Sequence, residues 1–205
     1  YFMYLNPLIK PKIYHLGTVH PKPIIAYSDA EWTAHHPPRL PSRGLGGCLI
    51  NADYYRGCSL VTPIEILWGL APRETQNIPL QLIAAIGLIF TCREILSGSY
   101  VIFFIDNQSV CAALCKGSRT SRDLRHLSMG IHVFCSRIGC KVWIEWVPSK
   151  SNPADILSRA HISEESILET FDPDKQEYQQ MAIPTWVDQT KYNKMEKIPS
   201  DIFFG

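Results

Sequence analysis

The stretch from Tyr100 to Lys116, YVIFFIDNQSVCAALCK, constrains the chain more than any other: an apolar run stops at one carboxylate and an amphipathic stretch begins at once. Val101 to Ile105 has the length and the β-branched and aromatic content of a strand buried on both faces, and Asn107 to Lys116 carries apolar residues at helical spacing. A strand that ends in an acid and opens into a helix belongs to an α/β sheet, where the crevice beyond the carboxyl ends of the strands is the usual place for a ligand. Asp106 either lines such a crevice or caps the helix that follows.

A chain of 205 residues has room for one domain and a tail. It opens at Tyr1 without a Met and is read as excised from something longer. The longest apolar runs carry polar interruptions, so neither a membrane span nor a signal peptide is expected. The seven cysteines are odd in number and include no C-x-x-C pair, which points to buried thiols in a reducing intracellular compartment. A zinc site drawn from Cys111, Cys115 and His126 or His132 is the alternative, since 111 and 115 share a helix face. Net charge is +1, but residues 1–159 hold 16 Lys and Arg against 10 Asp and Glu, whereas residues 160–205 hold 4 against 9. A mildly basic body with an acidic extension is compatible with a polyanionic ligand.

Tyr1 to Pro23 contains four prolines and no sustained period, and reads as a linker from an upstream domain. Ile24 to Trp32 (IIAYSDAEW) is a strand with Ile25, Tyr27, Asp29 and Glu31 on one face. After the proline-rich loop 35–43, Gly44 to Asn51 (GLGGCLIN) resumes as a strand whose glycines indicate a close backbone approach. Tyr55 to Val61 pairs back as a third strand, giving an antiparallel meander. Thr62 to Thr75 reads as irregular, anchored by Trp68.

Pro79 to Ser97 is apolar almost all round, which marks a buried helix, with Ala84 and Ala85 small enough to press on the sheet. Gln81 is its one polar residue before Thr91, and either belongs to a site or bonds the free N–H groups of the first turn. Arg119, Arg122 and Arg125 recur every third residue at the start of the next long helix, as a solvated face or a phosphate grip. Lys141 to Val147 alternates as a strand, and Pro148 to Arg159 (PSKSNPADILSR) turns into a short helix with Asp155 in its first turn.

With these elements in order, residues 24–159 resemble ribonuclease H, in particular the domain that follows the polymerase in retroelement reverse transcriptases. YSDAEW resembles the family's first-strand acid motif, FIDNQSV its fourth-strand motif, and NPADILSR its N-x-x-D-x-x-S-R ending. The spellings SDAEW and WVPSKSNPAD are most similar to elements of the tyrosine-recombinase retrotransposon type and related alveolate sequences. The resemblance implies a five-stranded mixed sheet, three antiparallel strands then parallel ones, flanked by helices. It also implies catalytic, metal-binding roles for Asp29, Asp106 and Asp155.

In that chemistry two Mg²⁺ or Mn²⁺ ions held by converging carboxylates clamp the attacking water and the leaving oxygen of the RNA strand of an RNA–DNA hybrid. The chain departs from the pattern at Gln81, where the family has a Glu, and a neutral amide should weaken binding of a divalent ion. Glu31 is a compensating acid two residues after Asp29, and Lys150 is the one proton carrier near the third motif. Asn107, Gln108, Lys150 and the three arginines are the expected nucleic-acid contacts.

Three functions follow: a hybrid-cutting ribonuclease H, weakened by Gln81; an inactive copy that binds nucleic acid or serves as a structural subunit; and a transposase or integrase core, disfavoured because its last acid is a helix Glu. Residues 161–205 are read as an acidic, largely irregular extension, with Tyr178, Ile183, Trp186 and Phe203 docking on the body or on a protein partner.

Overall fold

A computed structural model describes residues 22–33, 43–51, 55–117, 121–159 and 176–188. The strands are β1 (Ile24–Ala30), β2 (Gly44–Ile50), β3 (Tyr55–Val61), β4 (Tyr100–Ile105), β5 (Lys141–Trp146) and β6 (Gln176–Gln180). The helices are α1 (Ile64–Trp68), α2 (Asn77–Thr91), α3 (Arg93–Leu96), α4 (Gln108–Lys116), α5 (Arg122–Arg137) and α6 (Ala154–Ser158). One sheet runs β5-β4-β1-β2-β3-β6: β1, β2 and β3 pair antiparallel, while β4 lies parallel to both β1 and β5. This is the mixed α/β sheet the sequence implies, with a sixth strand added.

Helix α2 forms because Pro79 sits in its first turn, where the lost N–H has no partner in any case, and because its apolar surface is wanted on every side. Residues 79–89 are all buried, Ala84 and Ala85 among them. The single helix expected over Pro79 to Ser97 is two, since Cys92 (φ −98°, ψ 19°) leaves the helical region between α2 and α3.

Strand β4 is not buried on both faces. Its residues alternate, with Val101, Phe103 and Ile105 buried and Ile102 and Phe104 only partly so. The small cluster around Leu157 of α6 packs with Cys48, Tyr27 and Tyr55 over β1, β2 and β3, while Phe104 stacks on Tyr27 with ring centroids 5.1 Å apart. The segment after β3 is also not irregular, because α1 forms there. Trp68 is no anchor: it is 71% exposed, and Ile66 and Leu70 supply the buried contacts.

At residues 176–188 the extension is not irregular, although Tyr178, Ile183 and Trp186 do dock on the body as one of the two expectations had it. β6 pairs in parallel with β3, Tyr178 Oη lies 2.6 Å from Ser59 Oγ, and Arg56 pairs with Glu177. Beyond β6, Met181, Trp186 and Val187 are core residues. Two glycines seat them. A Cβ at Gly87 would lie 2.4 Å from Met181 Sδ, and one at Gly130 would lie 2.4 Å from the Trp186 ring. The apolar side chains of this segment are buried against the body, and this holds it in place. Phe203, Arg119 and most of the linker 1–23 lie outside the described residues.

Candidate active site

The two strand-borne acids meet because β1 and β4 are parallel neighbours. Ser28 stands opposite Ile105 in their register, so Asp29 and Asp106 come next on adjacent strands, at their carboxyl ends. Asp106 does not cap α4. Asn107 does, its Oδ1 accepting from the N–H groups of Ser109 (2.9 Å) and Val110 (3.3 Å), and the Asp106 carboxylate is left to face the crevice. The Asp106 carbonyl is held by the indole N–H of Trp146 at 3.1 Å.

Gln81 reaches the same point from α2. Its Nε2 donates to Asp29 Oδ1 at 3.1 Å and to Asp106 Oδ1 at 3.0 Å, one N–H for each acid. Two acceptors facing the amide require its nitrogen there, and this rules out the first-turn role considered from sequence. Gln81 Oε1 is buried and has no hydrogen-bond partner among the described residues.

The third motif closes the site from below. Asn152 Nδ2 donates to the Ser28 carbonyl at 3.1 Å, and its Oδ1 accepts from the Ala154 N–H, which fixes the start of α6 on β1. One turn later Ser158 Oγ donates to Asp29 Oδ2 at 2.7 Å. α6 approaches this closely because β2 presents Gly46 opposite Asp29: a Cβ at 46 would come within 2.4 Å of the Ser158 nitrogen and 2.7 Å of the Ala154 carbonyl oxygen. Sequence reasoning singled out neither Asn152 nor Ser158 as site residues, although the N-x-x-D-x-x-S spacing carried both.

Asp155 enters less completely. It lines the cavity, but its carboxylate pairs with Arg159 at 2.5 Å, one helical turn on, and is 43% exposed. Asp29, by contrast, is 6% exposed. Burial lifts its carboxyl to about 6. The Ser158 hydroxyl and the Ala30 N–H pull it down, while the charges of Asp106 and Asp155 push it up.

These groups line a cavity of about 590 Å³ together with Glu31, Asn77, Asn107, Gln108 and Ser149. Glu31 lies past the end of β1, where its backbone N–H bonds the Gly44 carbonyl. Lys150 is exposed in a 3₁₀ turn beside Ser149. Arg122 and Arg125 are exposed at the start of α5, which is tied to the segment before α2 by Arg73, whose guanidinium bonds both Asp123 oxygens and Ser121.

The donor chemistry decides what the site accepts. Asp29 and Asp106 supply the hard oxygens a divalent cation wants, but the Gln81 amide already lies between them and Asp155 is engaged by Arg159. Among the described residues no group of three or more His, Cys, Asp or Glu is placed to hold a metal ion. As the side chains stand, they do not fit two divalent ions. The zinc alternative is not assembled either, since His126 and His132 bond the carbonyls of Trp186 and Leu114. The seven cysteines are free thiols, five of them buried. Among the described residues no helix is long and apolar enough to cross a membrane.

No protein-family model and no curated protein matches the chain. Among solved structures it is similar to LC11-RNase H1 in complex with an RNA/DNA hybrid, at 12% identity over 65% of this chain and 92% of that one, with a TM-score of 0.48. It is also similar to RNase H1 from the halophilic archaeon Halobacterium salinarum, at 19% identity, 71% and 98% coverage and a TM-score of 0.45. A third is the structure of LC11-RNase H1 isolated from compost, at 17% identity, 74% and 100% coverage and a TM-score of 0.49.

Proposed function

We propose that this chain is the ribonuclease H-type domain of a retroelement reverse transcriptase, and that it binds an RNA–DNA hybrid while hydrolysing the RNA strand only slowly. The observation that carries the reading is the convergence of Asp29, Asp106 and Asp155, from three motifs far apart in sequence, on one cavity at the carboxyl ends of parallel strands. An acid pair attracts no phosphate by itself. The donors for a nucleic-acid backbone are Arg159, Asn107 and Gln108 on the cavity wall, with Lys150, Arg122 and Arg125 exposed on the surface.

Asp29, Asp106 and Asp155 would hold Mg²⁺ or Mn²⁺ only once Gln81 and Arg159 let go of them, and such ions would then supply the Lewis-acid chemistry of phosphodiester hydrolysis. The Gln81 amide and the Asp155–Arg159 pair leave the three acids already engaged, and slow hydrolysis is the consequence. The Asp155–Arg159 pair also favours a second reading, in which the domain binds hybrid without cutting it. In either reading residues 1–23 join the domain to an upstream polymerase in a reducing intracellular compartment, and the 161–205 extension is the candidate contact for a protein partner.

The test is a labelled hybrid, compared with duplex DNA and single-stranded RNA of the same sequence. Preferential hybrid binding is expected, with RNA cleavage in Mg²⁺ or Mn²⁺ orders of magnitude slower than that of Gln81→Glu. Equal affinity for all three ligands would overturn the substrate assignment. A parent that cuts as fast as Gln81→Glu in Mg²⁺ would overturn the role of Gln81. A Gln81→Glu variant as inert as a cutting-deficient parent would select the second reading.

A further inference from the structure

One neutral side chain spends both of its N–H groups on two acids: Gln81 Nε2 lies 3.1 Å from Asp29 Oδ1 and 3.0 Å from Asp106 Oδ1. Carboxylates this close, one of them buried, repel each other unless something of positive character stands between them. A cation can fill that place, and here an amide does. The far end of the amide is informative, because Gln81 Oε1 is buried without a partner among the described residues. No network behind Gln81 selects its orientation, so the two carboxylates do.

From this we propose that Gln81 is a built-in clasp that keeps the Asp29–Asp106 pair assembled without metal and, in the absence of nucleic acid, makes this site indifferent to divalent cations. Ser158 completes the arrangement by satisfying the second oxygen of Asp29. A Glu at 81 would reverse the situation, setting a third carboxylate against two others and making the assembled site depend on a cation. This deepens the reading of the same site, but it is tested without nucleic acid, so the clasp and the hybrid assignment fail independently.

Thermal unfolding is measured for the parent, Gln81→Leu and Gln81→Glu in chelator, in Mg²⁺ and in Mn²⁺. The parent midpoint should be the same in all three conditions. Gln81→Leu keeps the volume but removes the donors, and should unfold roughly 5 °C or more below the parent in every condition. Gln81→Glu should be low in chelator and recover in Mg²⁺. A parent midpoint that rises by several degrees with either cation, or a Gln81→Leu variant as stable as the parent in chelator, overturns the clasp. Should Gln81→Glu fail to fold, calorimetric titration of Mn²⁺ into the parent decides the matter: no binding at millimolar cation is expected, and a saturable site would refute it.

Discussion

Ser158 Oγ donates to Asp29 Oδ2 at 2.7 Å, joining the last turn of α6 to the end of β1 across 129 positions of sequence. The contact is buried, and it makes Asp29 a structural as well as a chemical residue. Ser158→Ala removes the only described side-chain donor to that oxygen and should cost about 1–3 kcal/mol in urea unfolding at pH 7. A change below about 0.5 kcal/mol would show that the oxygen finds another donor.

The raised Asp29 carboxyl sets a pH dependence. Burial lifts it from 3.8 to about 6, so the folded state holds a proton that the unfolded chain has released. The stability this contributes is complete below pH 3.8 and is lost as pH rises through 6. Between pH 4 and 7 the parent should lose up to about 3 kcal/mol relative to Asp29→Asn, which cannot titrate. Parallel pH profiles for the two proteins would place Asp29 in a more solvated setting than the structure gives it.

Gly46 is the position where the sheet admits α6. A methyl group there meets backbone atoms at 2.4 to 2.7 Å, which no side-chain rotation relieves. Gly46→Ala should therefore displace α6, cost about 2 kcal/mol or more, and impair hybrid binding through loss of the Asn152 and Ser158 contacts. The nearest atoms to a Cβ at Gly47 belong to the Leu88 side chain, at 3.0 to 3.2 Å, so Gly47→Ala is the milder control.

The segment after β6 is tested at Trp186, which packs on Gly130 and contributes to the core at 6% exposure. Trp186→Ala should cost about 3–5 kcal/mol, as for other large-to-small changes in a core. A loss under 1 kcal/mol would mean that the segment is only draped on the body.

Arg122 and Arg125 are exposed on the first turn of α5. If they contact hybrid phosphates, each Arg→Ala change should reduce the slope of log affinity against log salt by about one unit. An unchanged slope would assign them to a solvated helix face.

The order and type of most elements were legible in the sequence, because β4 ends abruptly at Asp106 and α2 is apolar all round, and such patterns need no tertiary context. The three acids were legible for a related reason: each stands at a strand end or helix start that its own motif defines. That Gln81 belongs beside the acids was legible from the resemblance, but that its amide donates to both of them was not. The direction of its amide is set only when β1, β4 and α2 converge. Likewise β6, with the seats of Met181 and Trp186 on Gly87 and Gly130, lies in a polar stretch with no strand-like apolar alternation. A five-residue strand is stable only against a partner edge, and a buried indole only in a space another helix leaves for it, so packing across the whole domain decides these features.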